Sequence, residues 1–523
     1  MARTSLAGLV QRLFCDARGI DRSGVPESEF VEQRTAHQQT RRQFLGHSGK
    51  AILAATGAAA IGVDALAAGG RSGKVAIIGA GLAGLTCALR LRQAGIDSTV
   101  YEANDRLGGR CYTRRGFFAD QQLVERGGEL IDTDHTAVQG LAVELGLKLD
   151  DLLLAEPSGT LPFYSFNGRA YTYSQILRRF KTIYPKLQSD LNAVGDIDYT
   201  GSTPRGYILD HTSVEDYIEE LTDDDVLSEL LNVAYNIEYG AETGNQTALN
   251  LLFLLGYSAR NSFDIFGGSD ERYHIRGGND QLVSGMVSLL RGSIQTGAPL
   301  ASIRQKTDGR YRLDFASGSG VKATVADHVV LALPFSILRS AVDYSQAGFS
   351  PLKQTAIETL GMGASAKLHL QFRNRLWNAL GNNGDTFADT GYQNTWESSR
   401  AQAGKSGILI NFTGGNTALH YGTGTLAQRT AEALQNLEPV LPGLSDRFNG
   451  LSTLDYWPGN PWSRGSYSYW KVGQYSSIAG SEGLREGNVH FCGEHASFDY
   501  QGYLNGAVDT GNAAAAEVIA DLA

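Results

Sequence analysis

Lys74-Val-Ala-Ile-Ile78 runs without a break into Gly79-Ala80-Gly81-Leu82-Ala83-Gly84, and this stretch decides the fold. The first five residues read as a strand: short, apolar and β-branched, as strands of a parallel sheet covered on both faces are. Leu85 to Ala94 reads as a helix stopped at Gly95, and Ser98-Thr99-Val100-Tyr101 as a second strand ending at Glu102. Each glycine then has a task. Gly79 permits the tight turn, Gly81 lets backbone approach a pyrophosphate, and Gly84 lets the helix pack on the strand. The helix N-terminus faces the phosphates, and Glu102 accepts hydrogen bonds from a ribose diol. Spaced glycines alone are a weak signal. Set between two strands and followed by an acid, they predict a dinucleotide site, with Leu82, Ala83 and Ala103 beside it.

With 523 residues the chain exceeds what one hydrophobic core usually serves, so two or more interleaved domains are expected. Hydrophobic residues make up 42% and charged residues 19%, a globular rather than a disordered balance. A net charge of -10 excludes nucleic acid as an expected partner, because phosphate binding needs clustered positive charge. Cys15, Cys87, Cys111 and Cys492 fit neither a disulfide framework nor a metal site, and no metal is expected. Near the N-terminus, Thr40-Arg41-Arg42-Gln43-Phe44-Leu45 matches a twin-arginine export signal. A mildly apolar run, Ala51 to Val63, and a small-x-small cleavage pattern, Ala65-Leu66-Ala67, follow it. The run is too short for a membrane span. Residues 1–67 are therefore expected to be a leader, and the protein to be periplasmic or secreted.

Further along, Arg106-Leu107-Gly108-Gly109-Arg110 places flexible backbone between two fixed charges, which suits a second approach to a pyrophosphate. Glu125-Arg126-Gly127-Gly128-Glu129 repeats the glycine pair, where backbone can lie against a flat ligand. About Thr133 to Asn261, helical patterns such as Val214 to Leu221 and Val226 to Tyr235 predict a mostly helical insertion covering the substrate. Strand patterns return at Arg310 to Phe315, at His328 to Leu333 (stopped by Pro334), and at Ala364 to Phe372. The last of these alternates as a strand with one solvent or ligand face. Val489 to Cys492 reads as a short buried strand leading to Gly493-Glu494, where a carboxylate can hold hydroxyls of a cofactor. Tyr500-Gln501-Gly502-Tyr503-Leu504-Asn505-Gly506-Ala507 opens a small-residue helix whose N-terminus can face developing negative charge, and Ala513 to Leu522 reads as an alanine-rich closing helix.

Taken in order, Gly79/Gly81/Gly84 with Glu102, Arg106 to Arg110, and Gly493-Glu494 with Gly502-Tyr503-x-x-Gly506-Ala507 resemble the flavin amine oxidases over roughly residues 74 to 521. That family includes monoamine, polyamine and L-amino acid oxidases. The resemblance implies an α/β fold, with an FAD-binding Rossmann-type domain interleaved with a mixed α+β substrate domain that carries the helical insertion. Expected boundaries are 74–132, 271–335 and 456–523 for the FAD-binding parts, and 133–270 and 336–455 for the substrate domain. By resemblance, Lys367 is the lysine that holds a water at the flavin N5. Tyr467 and Tyr503 are the aromatic walls flanking the substrate nitrogen, and Trp462 belongs to the segment along the flavin ring. Some members carry cysteine where this chain has Ser466 and bond the flavin covalently. Serine cannot, so noncovalent FAD is expected.

The reaction so implied oxidises a carbon–nitrogen bond, the imine hydrolyses, and dioxygen becomes hydrogen peroxide. The expected partners are a small amine or amino acid and O2, and a homodimer is compatible with this reading. Many L-amino acid oxidases have an arginine just after the second glycine motif to hold the α-carboxylate; here that stretch is Gly127 to Asp132, without arginine. Arg272, Arg276 or Arg464 could serve instead. The layout resembles L-amino acid oxidases, and oxidative deamination of an L-amino acid is the expectation. Glu129, Asp132, Glu238 and Glu242 would suit a basic side chain or a diamine, so a monoamine or polyamine oxidase is the alternative. A desaturase or isomerase on the same scaffold would need no aromatic pair, and a NAD-dependent dehydrogenase would need neither the Arg106–Arg110 nor the Gly493–Gly506 motif.

Overall fold

The computed structural model describes residues 73–256, 269–290, 292–317 and 320–523. The twin-arginine signal, the apolar run, the cleavage pattern and Cys15 lie outside the described residues.

Val75–Ile78 forms the centre of a five-stranded parallel sheet, between His328–Leu331 and Ser98–Tyr101. Val489–Phe491 and Ile294–Gln295 are the two edges. The first strand is buried along its whole length, which is why it carries only apolar residues. The helix begins at Leu82 rather than Leu85 and runs to Gln93. It packs on Leu504–Asp521, so the two stretches read separately at the C-terminus are one continuous helix. Among the described residues, Cys87, Cys111 and Cys492 are buried free thiols.

A four-stranded sheet beside it pairs Gly320–Ala326, Tyr311–Ser317, Leu300–Gln305 and Asp343–Gln346. Asp343–Gln346 therefore belongs with the residues before 335, beyond the boundary expected there. The 270/271 boundary is likewise crossed, by Leu149–Asp151 pairing with Tyr273–Ile275.

The second large sheet has seven strands, in the order Phe448–Tyr456, Ser365–Phe372, Gly407–Gly414, Asn394–Glu397, Asn382–Ala388, Leu161–Phe166 and Arg169–Tyr171. Its last two strands come from the segment read as helical. The helices Tyr173–Val194, Val214–Leu221, Asp225–Tyr239 and Ala248–Gly256 then pack together, with Tyr173–Val194 opened by a capping box between Thr172 and Gln175. Ser365–Phe372 has no solvent face: all eight residues are buried, so the polar half of its alternation, Lys367, His369 and Gln371, is turned into the protein.

Candidate cofactor and substrate site

The five parallel strands end at a cleft enclosing about 1380 Å3, its open mouth included. It runs from the Gly79–Gly84 loop past Glu102 to Gly493, the crevice at the strand ends where a parallel α/β sheet takes a dinucleotide. Gly79 turns the chain with φ 104°, and a Cβ there would stand 2.7 Å from the Ala332 carbonyl oxygen. At Gly84 a Cβ would lie 2.0 Å from the Gly79 carbonyl oxygen, so only glycine lets this helix meet its strand. Gly81 is the opposite case. A Cβ there would meet no protein atom within 4 Å, because Gly81 forms the floor of the cleft.

Leu82 and Ala83 follow at the start of a helix with no side-chain cap and no acid in its first turn. Its free N–H groups make an anion site at the cleft. Tyr503, Leu504 and Ala507 line the cleft from a second helix start, also without side-chain cap or acid. Glu102 stands on the wall beside Ala103. One of its oxygens accepts from the Ala80 amide at 2.8 Å and the other from the Asn104 amide at 2.9 Å.

Arg106 and Gly109 line the cleft as well. The Arg106 guanidinium donates to the carbonyls of Leu107 (2.9 Å) and Gly109 (2.6 Å) and lies 4.0 Å over the Tyr112 ring, which fixes the loop. Arg110 crosses the cleft to Glu494 at 2.8 Å. Glu494 also accepts from the Ser468 hydroxyl at 2.7 Å and from the Gly502 amide at 2.9 Å. Burial alone would raise its pKa, but Arg110 outweighs it and the carboxyl sits at about 2. With Arg110, the Ser468 hydroxyl and amide, and the Gly502 amide taken, the carboxylate has little capacity left. Glu494 therefore clamps three chain segments together, where the sequence suggested a direct holder of cofactor hydroxyls. Gly493 and Trp462 complete the cleft, with Trp462 at its exposed rim.

Other expected residues stand off the wall. Lys367 is 1% exposed and donates to the Glu129 carboxylate at 2.6 Å and the Gly127 carbonyl at 2.9 Å. Burial would raise the Glu129 pKa, but the Lys367 charge and hydrogen bond bring it below the ordinary carboxylate value. Trp396 donates its indole N–H to the other Glu129 oxygen at 3.1 Å. Gly127 sits behind Trp457, which does line the cleft and donates to the Arg126 carbonyl at 2.8 Å, and the Gly128 amide donates to the Arg110 carbonyl. Tyr467 is fully buried, packs on Trp457 and donates its hydroxyl to the Ile237 carbonyl at 3.0 Å. Tyr503, the other member of the expected pair, lines the cleft directly, whereas Tyr467 meets it through Trp457. Ser466 is buried, its hydroxyl 3.0 Å from that of Ser365.

A second, smaller cavity of about 620 Å3, its open mouth included, meets the first at Tyr503. Asp132, Asp134, Asp499 and His135 line it with Tyr239, Phe253 and Trp470. The His135 ring stands edge-on to Tyr503, centroids 4.7 Å apart. No arginine lines this cavity among the described residues. Arg276 is an exposed side chain paired with Asp150 at 2.6 Å, because the strand pairing brings 149–151 against 273–275. Arg272 is taken by Asp151 at 2.6 Å, and Arg464 is exposed. The three arginines proposed for a carboxylate are thus placed elsewhere. Of the four candidate acids, Glu129 is paired with Lys367, Glu238 is fully buried, and Glu242 accepts from Asn236 and the Asn416 amide; only Asp132 reaches the cavity.

The sequence missed the opposite wall of the cleft, Ala298 to Ala301, Ala332 to Pro334 and Ile337, which carries no motif. Its one available signal was that Pro334 ends a parallel strand on the same edge as Gly79. Asp134 and His135 were also missed.

A glycine floor, two uncapped helix starts and an acid at the second strand end fit a flavin dinucleotide. The chain matches the family described as flavin containing amine oxidoreductase over residues 82–519. It belongs to that family. The cofactor is accordingly FAD, and the protein is a flavin oxidoreductase acting on amines. When bound, FAD supplies the acceptor for the two electrons lost by a carbon–nitrogen bond. In this amine oxidoreductase, Gly81 to Ala83 and Arg106 would hold its phosphates and Glu102 its ribose. Similar proteins include an L-amino acid dehydrogenase of Synechocystis, 25% identical over 474 residues (85% of this chain, 94% of that one). A nicotine dehydrogenase of Pseudomonas putida is 25% identical over 502 residues (92% and 97%). Cyclohexylamine oxidase from Brevibacterium oxydans shares the fold, with a TM-score of 0.74 at 20% identity, covering 86% of this chain and 99% of that one. No described helix is long and apolar enough to cross a membrane.

Proposed function

We propose that this flavin amine oxidoreductase oxidises a small cationic amine without an α-carboxylate, using noncovalent FAD and passing the electrons to dioxygen. The observation that carries this is the acid-lined cavity at Tyr503. Asp132, Asp134 and Asp499 draw in a cation, and no described arginine is placed there to balance a carboxylate. Burial, with Asp132 and Asp270 nearby, raises the Asp134 pKa, as expected where carboxylates are crowded in a partly dry site. Tyr503 offers an aromatic face where cavity meets cleft, which suits an amine nitrogen. Lys367, held by Glu129, is the residue we assign to the reacting end of the flavin. Ser466 lacks a thiol to bond it.

The L-amino acid reading is favoured by the similarity to several proteins named as L-amino acid oxidases or dehydrogenases, the Synechocystis protein among them. The two part in one experiment. The purified yellow protein is mixed anaerobically with mono- and diamines and with neutral and basic L-amino acids, and loss of the flavin band is followed before air is admitted and peroxide measured. Amines should bleach the flavin and amino acids should not; bleaching by L-amino acids at comparable rates refutes the amine reading. We also propose twin-arginine export, on the strength of Thr40 to Leu45. Retention of the protein inside cells after Arg41 and Arg42 are both changed to lysine is the expected result.

A further inference from the structure

His328 and His490 stand on neighbouring parallel strands at the edge of the nucleotide sheet. Val330 is paired with His490, and His328 lies two residues before Val330. In a strand, residues two apart share a face, so both imidazoles project to the same side. There the last helix, Leu504–Asp521, ends and presents Asp521. His328 Nδ1 lies 3.4 Å from His490 Nε2, and Asp521 Oδ2 lies 3.6 Å from each of these nitrogens. Three atoms at these separations enclose a point about 2.0 Å from each, the bond length of zinc to histidine nitrogen and carboxylate oxygen.

We propose that His328, His490 and Asp521 form a binding site for a divalent transition-metal ion of the zinc type, with water as the remaining ligand. The surroundings are those of a metal site. His490 Nδ1 is 2.6 Å from Glu517 Oε2, so its N–H donates outward and its Nε2 lone pair points inward. That is the carboxylate–histidine pairing that fixes ligand imidazoles. Asp521 Oδ1 is held by Arg485 at 2.8 Å, which leaves Oδ2 for the ion. Glu517 and Asp521 outnumber Arg485 in charge, and the helix C-terminus adds partial negative charge. Both histidines are buried, and only Asp521 opens to solvent. The ion would tie two sheet strands to the far end of the helix whose first residues line the FAD cleft.

The test uses the FAD-loaded enzyme after dialysis against a chelator. Zn2+ is titrated calorimetrically, and the thermal midpoint is measured with and without it. One equivalent should bind and the midpoint should rise, saturating at one Zn2+ per chain. Asp521→Asn, a conservative change at the solvent edge, should weaken binding at least tenfold, and His328→Gln with Asp521→Asn should abolish both effects while FAD content stays that of wild type. Failure of the wild-type enzyme to bind Zn2+ stoichiometrically overturns the proposal. Undiminished binding in the double variant overturns it as well, placing the ion elsewhere.

Discussion

Replacing Gly81 with alanine separates the demands of the fold from those of the cofactor. Gly81 has φ -75°, a value alanine adopts freely, and its Cβ would meet no protein atom within 4 Å. Gly81 is the N-cap of its helix, where glycine is preferred to alanine, so that loss and the reduced freedom of the unfolded chain offset each other and the stability of the apoprotein should change by less than about 1 kcal/mol. The new methyl projects where the pyrophosphate approaches. Overfilling a packed contact by one methyl costs about 1–3 kcal/mol, or a Kd for FAD raised about 5- to 150-fold. Gly84→Ala should behave differently, because its Cβ would lie 2.0 Å from the Gly79 carbonyl oxygen; stability and FAD should be lost together. The assay titrates apoprotein with FAD, following the change in flavin fluorescence, and records the thermal midpoint of each apoprotein. If Gly81→Ala binds FAD with the wild-type Kd, Gly81 does not face the pyrophosphate and the cleft has been read in the wrong orientation.

Lys367→Met should leave Glu129 charged and buried at a cost of about 3–5 kcal/mol, and Lys367→Met with Glu129→Gln should recover part of it; in both, flavin reduction by substrate should slow, measured by stopped flow. Tyr503→Ala should keep its FAD and lose about one to two orders of magnitude in kcat/KM, equal to about 1.4–2.7 kcal/mol, with Tyr503→Phe close to wild type. Tyr467→Ala should instead lose about 3–5 kcal/mol of stability, since that ring is packed and its hydroxyl bonded; unchanged denaturant stability would show that it does not hold Trp457 in place. The Glu494 carboxyl, at about 2 when folded, contributes stability that is complete above the ordinary carboxylate pKa and lost as pH falls from there towards 2. That amounts to about 3 kcal/mol, and acid titration of Glu494→Gln should lack it.

What the sequence showed of the fold was local. Val75 to Glu102 carries strand, turn, helix, strand and acid within 28 consecutive residues, and every link is between near neighbours. The opposite wall of the cleft, near Ala298 and Leu333, could not be seen, because apolar residues that line a ligand look like apolar residues that line a core. Lys367 shows the same limit at the site. Its alternation with Leu368 and Leu370 reads as a solvent or ligand face, and the partner that lets it be buried, Glu129, is 238 residues away. Arg276 failed in the other direction: its carboxylate partner, Asp150, is assigned only by a strand pairing that no periodicity reveals. The helical segment hid Leu161–Phe166 and Arg169–Tyr171, two short strands that gain their meaning from a sheet completed more than 200 residues later.

The order of strands in the nucleotide sheet sets a timetable for synthesis. Val75–Ile78 is paired on one side by Ser98–Tyr101 and on the other by His328–Leu331. Its second edge must wait while some 230 further residues leave the ribosome, roughly ten to fifty seconds at ordinary elongation rates. During that interval four consecutive apolar residues present unpaired backbone. The nascent chain is therefore at its most adhesive early, and cellular yield should respond to chaperones that shield a strand edge more than to the stability of the finished enzyme.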